Sequence, residues 1–86
     1  MAWYVYMLRC GDGSHYTGST TDVARRLQAH QSGRGAKYTR SHPPVTLVYT
    51  EKADDRSAAL RREAAIKKLT RAEKLQLLKA PENQAE

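Results

Sequence analysis

The stretch YVYMLRCGDGSHYTGSTTDVARRLQAH, residues 4–30, decides how this chain folds. From Ala2 to Cys10 the sequence is almost continuously apolar and rich in β-branched and aromatic residues. That pattern suits a strand covered on both faces, so this strand is expected at the centre of its sheet. Gly11, Asp12 and Gly13 supply the positive-φ positions of a hairpin, and residues 14–19 return as the partner strand. A three-residue loop sets Cys10 against Ser14 and Tyr6 against Gly18, with Tyr16 on the same face as Tyr6. A two-residue loop would send the two phenols to opposite faces. Thr21 or Asp22 then caps a helix that ends around Ser32 and Gly33. At about 100° per residue, Val23, Arg26, Leu27 and His30 share one helical face while Arg25 points elsewhere, to solvent. Two phenols, a guanidinium and an imidazole are thereby drawn together over very little chain, and this is the candidate site.

Outward from that stretch, residues 32–44 read as loop, with Gly33, Gly35, Pro43 and Pro44 as breakers. The loop is a mobile basic arm carrying Arg34, Lys37, Tyr38, Arg40 and His42. Tyr38, between Lys37 and Arg40, is placed either to stack on a base or to pack. Residues 45–50 return to a β pattern and add a third strand, which gives a small antiparallel sheet. Asp54 or Asp55 caps a second helix reaching about Leu69. Thr70 with Glu73 forms a capping box that starts a third helix, running through Leu78. Residues 1–80 make one domain, and residues 81–86 a polar tail. The chain has five Tyr, one Trp and no Phe. Its core therefore uses rings whose polar tips need partners.

The 86 residues carry a net charge of +6, and Arg25, Arg26, Arg34, Lys37 and Arg40 follow one another with no intervening acid. Such a patch attracts polyanions, and nucleic acid is the expected partner. Cys10 is the single cysteine, which excludes an intramolecular disulfide and a Cys-rich zinc site, and it is expected in the core. His15 and His42 are expected at the surface. The apolar start is too short for a signal peptide or membrane span and reads as a strand of a cytoplasmic protein.

On the second helix Ala59, Leu60 and Ile66 define the expected buried arc, and Glu63 falls inside it. A carboxylate there needs a compensating partner. Either it pairs with Lys67 one turn on, at the surface edge, or it is a metal ligand or general base aimed into a cleft.

With these residues placed, the chain resembles the GIY-YIG nuclease superfamily, in its small single-domain YhbQ-like branch, from Trp3 to about Leu78. Tyr4-Val5-Tyr6 is similar to the first motif and Tyr16-Thr17-Gly18 to the second. Arg26 matches the family's arginine, His30 a position held by His or Tyr, and Glu63 the metal-binding glutamate. Residues 33–40 and 60–69 also look like this branch. Two departures are visible: Tyr4 replaces the first glycine, and the asparagine that many active members carry late in the domain has no counterpart after Glu63 except Asn83. The resemblance implies an α+β (α/β-class) fold with a three-stranded antiparallel sheet flanked by helices. It also implies phosphodiester hydrolysis with a single divalent ion, Mg²⁺ or Mn²⁺, held by Glu63. Tyr6, Tyr16, Arg26, His30 and Glu63 are then the catalytic set, with either Tyr6 or His30 as general base. Gly18, Arg25, Arg34, Lys37, Tyr38 and Arg40 line the approach of nucleic acid. The first reading is a DNA endonuclease, DNA before RNA, active in repair or on structured DNA, and a monomer or weak dimer. The second reading is a nucleic-acid-binding module of the same fold with little or no catalysis.

Overall fold

β1 (Trp3–Arg9) is the middle strand of a three-stranded sheet ordered β2-β1-β3, flanked by β2 (His15–Thr20) and β3 (Thr46–Ala53), with both pairings antiparallel. The computed structural model describes residues 2–35 and 37–79, apart from the side chains of Tyr38 and Arg40, so the polar tail and Asn83 lie outside the described residues. Helices α1 (Val23–Gln31) and α2 (Lys37–Arg40) separate β2 from β3, and α3 (Arg56–Lys67) and α4 (Arg71–Leu78) follow. Among the described residues, no helix is long and apolar enough to cross a membrane.

The central position explains the unbroken apolar run. Val5 and Met7 face one way, into a core with Tyr49, Ala59 and Ile66 against which Leu69, Leu77 and Leu78 pack. Tyr6 and Leu8 face the other way, with Val45, Tyr16, Leu27 and Leu47. One layer of helices, α3 and α4, thus covers the first face and α1 the second. A β-bulge between Met7 and Leu8 lets β3 follow both registers, with Met7 opposite Tyr49 and Leu8 opposite Leu47.

Hairpin register follows the three-residue loop. Cys10 N–H donates to Ser14 O at 2.9 Å and Gly13 N–H to Cys10 O at 2.9 Å, with Gly13 at φ 86°. Tyr6 accordingly stands opposite Gly18, and Leu8 opposite Tyr16. Each long helix begins on the cap its sequence offers. Asp22 accepts from Arg25 N–H at 3.0 Å, Asp55 from Ala58 N–H at 2.8 Å, and Thr70 and Glu73 close the reciprocal capping box at 3.1 and 2.8 Å. The hydroxyls of the buried rings Tyr6 and Tyr49 are partnered, whereas Thr17 Oγ1 is buried without a hydrogen-bond partner. The Tyr49 hydroxyl donates to Glu51, whose other oxygen accepts from Arg62 Nε at 2.7 Å, tying α3 to β3. Burial first, then the neighbouring Glu51 carboxylate, pushes the Tyr49 phenol up to about 12.

Three expectations need correction. Residues 32–44 are not a bare arm: Lys37–Arg40 form the helical turn α2, packed on α1, and Thr39 within it is buried at 1 % exposure. Thr39 makes that turn part of the interior. β3 runs on to Ala53 because its whole length pairs with β1. Leu60 lies outside the buried arc of α3, being 42 % exposed, whereas Ala59 and Ile66 are fully buried. The helix meets the sheet along the Ala59–Ile66 line, close to the Glu63 side of the wheel, and Leu60 turns outward.

Candidate active site

The register of the hairpin carries Tyr6 and Tyr16 to the α1 side of the sheet. Gly18 is the reason the Tyr6 ring lies across β2: a Cβ at residue 18 would stand 2.5 Å from the Tyr6 hydroxyl oxygen. The room that Gly18 leaves is therefore filled by Tyr6 itself. From α1, His30 enters the same layer with 2 % exposure. Its Nε2 lies 3.0 Å from the Tyr6 oxygen, and its Nδ1 2.7 Å from Thr39 Oγ1. The His30 ring also packs edge-tilted on both phenols, with centroids 5.9 Å from Tyr6 and 5.2 Å from Tyr16. Gly35 closes over the imidazole, since any side chain there would strike the ring.

Electrostatics decide the proton positions. Burial, followed by the Arg26 guanidinium, holds His30 below the ordinary histidine value of 6.5, so the imidazole is neutral. Burial raises the Tyr6 phenol above 10.0, opposed by a hydrogen bond from Arg26. The Arg26 guanidinium, a donor only, acts on that oxygen, so we assign the phenol's own proton to His30 Nε2 and the imidazole N–H to Nδ1, toward Thr39. The result is a hydrogen-bonded line Tyr6–His30–Thr39, with the charge of Arg26 at its outer end.

Glu63 reaches the site around the open edge of β2. Ser19 Oγ donates to its Oε1 at 2.7 Å and Lys67 Nζ to its Oε2 at 2.8 Å, with the carboxylate side chain 16 % exposed. Its charge acts on Tyr6, and Lys67 is close enough to feel Tyr16, so the edge of β2 joins the carboxylate to the phenols. Glu63 raises the Lys67 ammonium in turn, chiefly through their hydrogen bond. The Lys67 pair read from the sequence therefore exists.

The candidate residues thus fall in two layers. Tyr6, His30 and Thr39 are buried; Tyr16 is half-buried, and Arg26 is exposed at the rim. Arg25 is exposed beside Arg26, and the two line one cavity with Thr20, Asp22 and Ala29. Arg34 and Lys37 are exposed, and the Tyr38 and Arg40 side chains lie outside the described residues. Sequence reasoning missed Thr39, Gly35 and Ser19. Thr39 and Gly35 fall in residues 33–40, already set apart by their resemblance to the branch. Ser19 carried a weaker signal, as the edge-strand residue next to Gly18 on the opposite face.

Among the described residues, no three His, Cys, Asp or Glu side chains come together as a metal cage. Glu63 instead offers one hard oxygen ligand beside the Ser19 hydroxyl, at a partly open edge. That fits a divalent ion that keeps most of its waters and completes its shell with substrate phosphate.

The GIY-YIG catalytic domain model matches residues 2–76. A UPF0213 protein of Streptococcus sanguinis is 57% identical over 76 residues, which is 88% of this chain and 87% of that one. A UPF0213 protein of Halobacterium salinarum is 56% identical over 83% of this chain and 92% of its own. Two solution NMR structures share the fold. A UPF0213 protein of Bacillus halodurans superposes with a TM-score of 0.59 at 51% identity, covering 91% of this chain and 83% of that one. A protein of E. faecalis superposes with a TM-score of 0.65 at 49% identity, covering 100% and 92%. The paired phenols on the hairpin, the arginine on α1 and the edge carboxylate on α3 stand within the matched span, and the chain belongs to the GIY-YIG family of nuclease domains.

Proposed function

We propose that this protein is a divalent-metal-dependent endonuclease that hydrolyses phosphodiester bonds, with DNA preferred over RNA. The observation that carries the reading is the bond between the Tyr6 hydroxyl and the neutral, buried His30, with Arg26 on the same phenol. A solitary structural tyrosine needs no neutral imidazole bridging it to a buried threonine. A proton relay does.

In this reading the attacking water gives its proton to the Tyr6 oxygen while the phenol passes its own to His30 Nε2. His30 is the final acceptor and Tyr6 the group facing the water, so the two candidate bases act as one unit. Arg26, free of an acidic partner among the described residues, offsets charge growing on the phosphoryl oxygens. Tyr16 orients water or phosphate from its half-buried place over the His30 ring. Glu63 would hold the ion, Mg²⁺ or Mn²⁺, which when bound stabilises the leaving oxygen. Arg25, Arg34 and Lys37 supply exposed positive charge for the polyanion around the rim. The preference for DNA, and a role in repair or in processing structured DNA, rest on the family resemblance.

The test is cleavage of labelled single-stranded, duplex and branched DNA, with an RNA control, by wild type and Glu63→Gln, in Mg²⁺, in Mn²⁺ and in EDTA. Metal-dependent cutting by the wild type, lost in Glu63→Gln while binding persists, is the expected result. Tight binding with no cutting on any substrate would overturn the enzyme reading in favour of a non-catalytic module.

A further inference from the structure

The face of the sheet away from Tyr6 and Tyr16 carries a second concentration of positive charge. At the hairpin end an open cavity of about 360 Å³ lies between β1, β2, β3 and α4. Arg9 and His15 project from the paired strand ends, where they are direct cross-strand partners, and Arg71 enters from the start of α4. Lys74 stands one turn on, and together Arg71, Lys74 and Arg9 act on His15, whose basicity is lowered by burial and then by these three charges. Among the described residues, no carboxylate lines the cavity. Arg71 is steadied by a 3.4 Å bond from Nη1 to Gly13 O, while Arg9 makes no ion pair among the described residues. Its other wall is apolar, made by Leu75 and Leu78 of α4; Leu75 is 41 % exposed.

Like charges gathered at a concave site repel one another, and an anion relieves that cost. A cationic wall facing an apolar one selects an anion with a flat or apolar body attached. The volume lies at the lower end of the range for small-molecule sites, about 300–1,000 Å³. We propose that this cavity is a nucleotide subsite, taking a phosphate on Arg9, His15 and Arg71 and the attached base or sugar against Leu75 and Leu78. Side chains alternate along β2, so His15 points to the face opposite Tyr16, and a phosphate seated here is not the one that Tyr6 and Arg26 would act on. The ligand is either a flanking nucleotide of the bound strand or a free mononucleotide. The flanking-strand source rests on the proposed nuclease function; the nucleotide chemistry of the cavity does not.

Binding, not cutting, is measured, with Glu63→Gln as the background so that nucleic acid stays intact. Arg9→Gln/Arg71→Gln changes two exposed side chains, and Arg56→Gln/Arg61→Gln on α3 is the charge-matched control, outside the cavity. Fluorescence anisotropy with a labelled oligonucleotide is expected to show at least fivefold weaker binding for the cavity pair. The slope of log affinity on log salt should become shallower by about 0.7 for each phosphate that the cavity no longer neutralises. In parallel, 5′-AMP, inorganic phosphate and an unlabelled single-stranded oligonucleotide are titrated while the backbone amides of Gly13, His15 and Arg71 are followed by NMR. A nucleotide ligand should shift those amides at lower concentration than phosphate does, and the cavity pair should abolish the shifts. Shifts with the oligonucleotide but not with 5′-AMP identify the strand as the source, and shifts with 5′-AMP as well identify a free-nucleotide site. Equal loss in the control pair, unmoved amides with every ligand, or shifts by phosphate at the same concentration as by the nucleotide ligands would overturn the assignment. An inactive wild type that still shows these shifts would sink the nuclease reading and leave the subsite standing.

Discussion

His30 is held neutral by burial and by Arg26, and this has a consequence with a definite sign. Its folded value lies below the ordinary 6.5, so as pH falls the unfolded chain binds the proton first. The contribution to stability is whole above pH 6.5 and is lost as pH drops through the folded value. Urea melts at a series of acid pH values should therefore show a shallower loss for His30→Gln than for wild type; His15 and Asp12, lowered as well, contribute to the slope that remains. The rate should keep its neutral proton acceptor to lower pH than an ordinary histidine would allow. Tyr6→Phe deletes the donor to His30 and leaves a buried nitrogen unpaired, at a cost of about 1–3 kcal/mol in stability. The same change should lower the cleavage rate about 10²-fold or more if the phenol passes the proton; a rate within threefold of wild type would remove Tyr6 from the chemistry. At Glu63 the ion pair with Lys67 competes with a metal for the same oxygen. Lys67→Met should lower the Mg²⁺ concentration for half-maximal activity about twofold, an effect kept small by solvent at a half-exposed pair. Tyr6, Tyr16, Arg26, His30 and Glu63 were legible in the sequence because strand alternation and helical spacing place them. Thr39 was not legible, because its bond to His30 depends on how a connecting segment folds back, and no periodicity encodes that.

The hairpin is the element on which the site depends. Its three-residue turn determines that Tyr6 faces Gly18, and the glycine is required by the ring above it and not by backbone conformation. Gly18→Ala should push the phenol off β2 and cost both activity and about 1–3 kcal/mol of stability, the scale of overpacking a core. Thermal melts beside cleavage assays check both. The starts of the three long helices were readable, since Asp22, Asp55 and Thr70 all cap as their side chains allow. Thr70→Ala opens the capping box of α4 and should lower stability by about 1 kcal/mol, measured by urea denaturation. Composition misled where it was the only guide. The glycines and prolines of residues 32–44 signal loop, yet α2 forms between them and Thr39 of that turn braces His30. The wheel of α3 likewise placed Leu60 inside, because three apolar positions define an arc too loosely to tell which edge the sheet will meet.

Over the whole molecule the two faces of the sheet differ in kind. The α3–α4 side is an ordinary apolar core of Val, Met, Ala and Ile, with Tyr49 tied off by Glu51. The α1 side is packed with the rings of the candidate site, Tyr6, Tyr16 and His30, among Leu8, Leu27, Leu47 and Val45. Positive charge is spread around both, so binding to nucleic acid should weaken steeply with salt. A double-logarithmic plot of affinity against salt tests this, and a flat line would exclude phosphate contact as the basis of binding. The packing of the α1 side also bears on how relatives of this chain diverge. A descendant that lost its activity would still need Tyr6 and Tyr16 to fill the space under α1, so the two tyrosine signatures persist under selection for folding alone. Arg26 and Glu63 contribute little to packing, and drift would erase them first. The arginine and the glutamate are therefore the positions where loss of activity in such a lineage would first be seen.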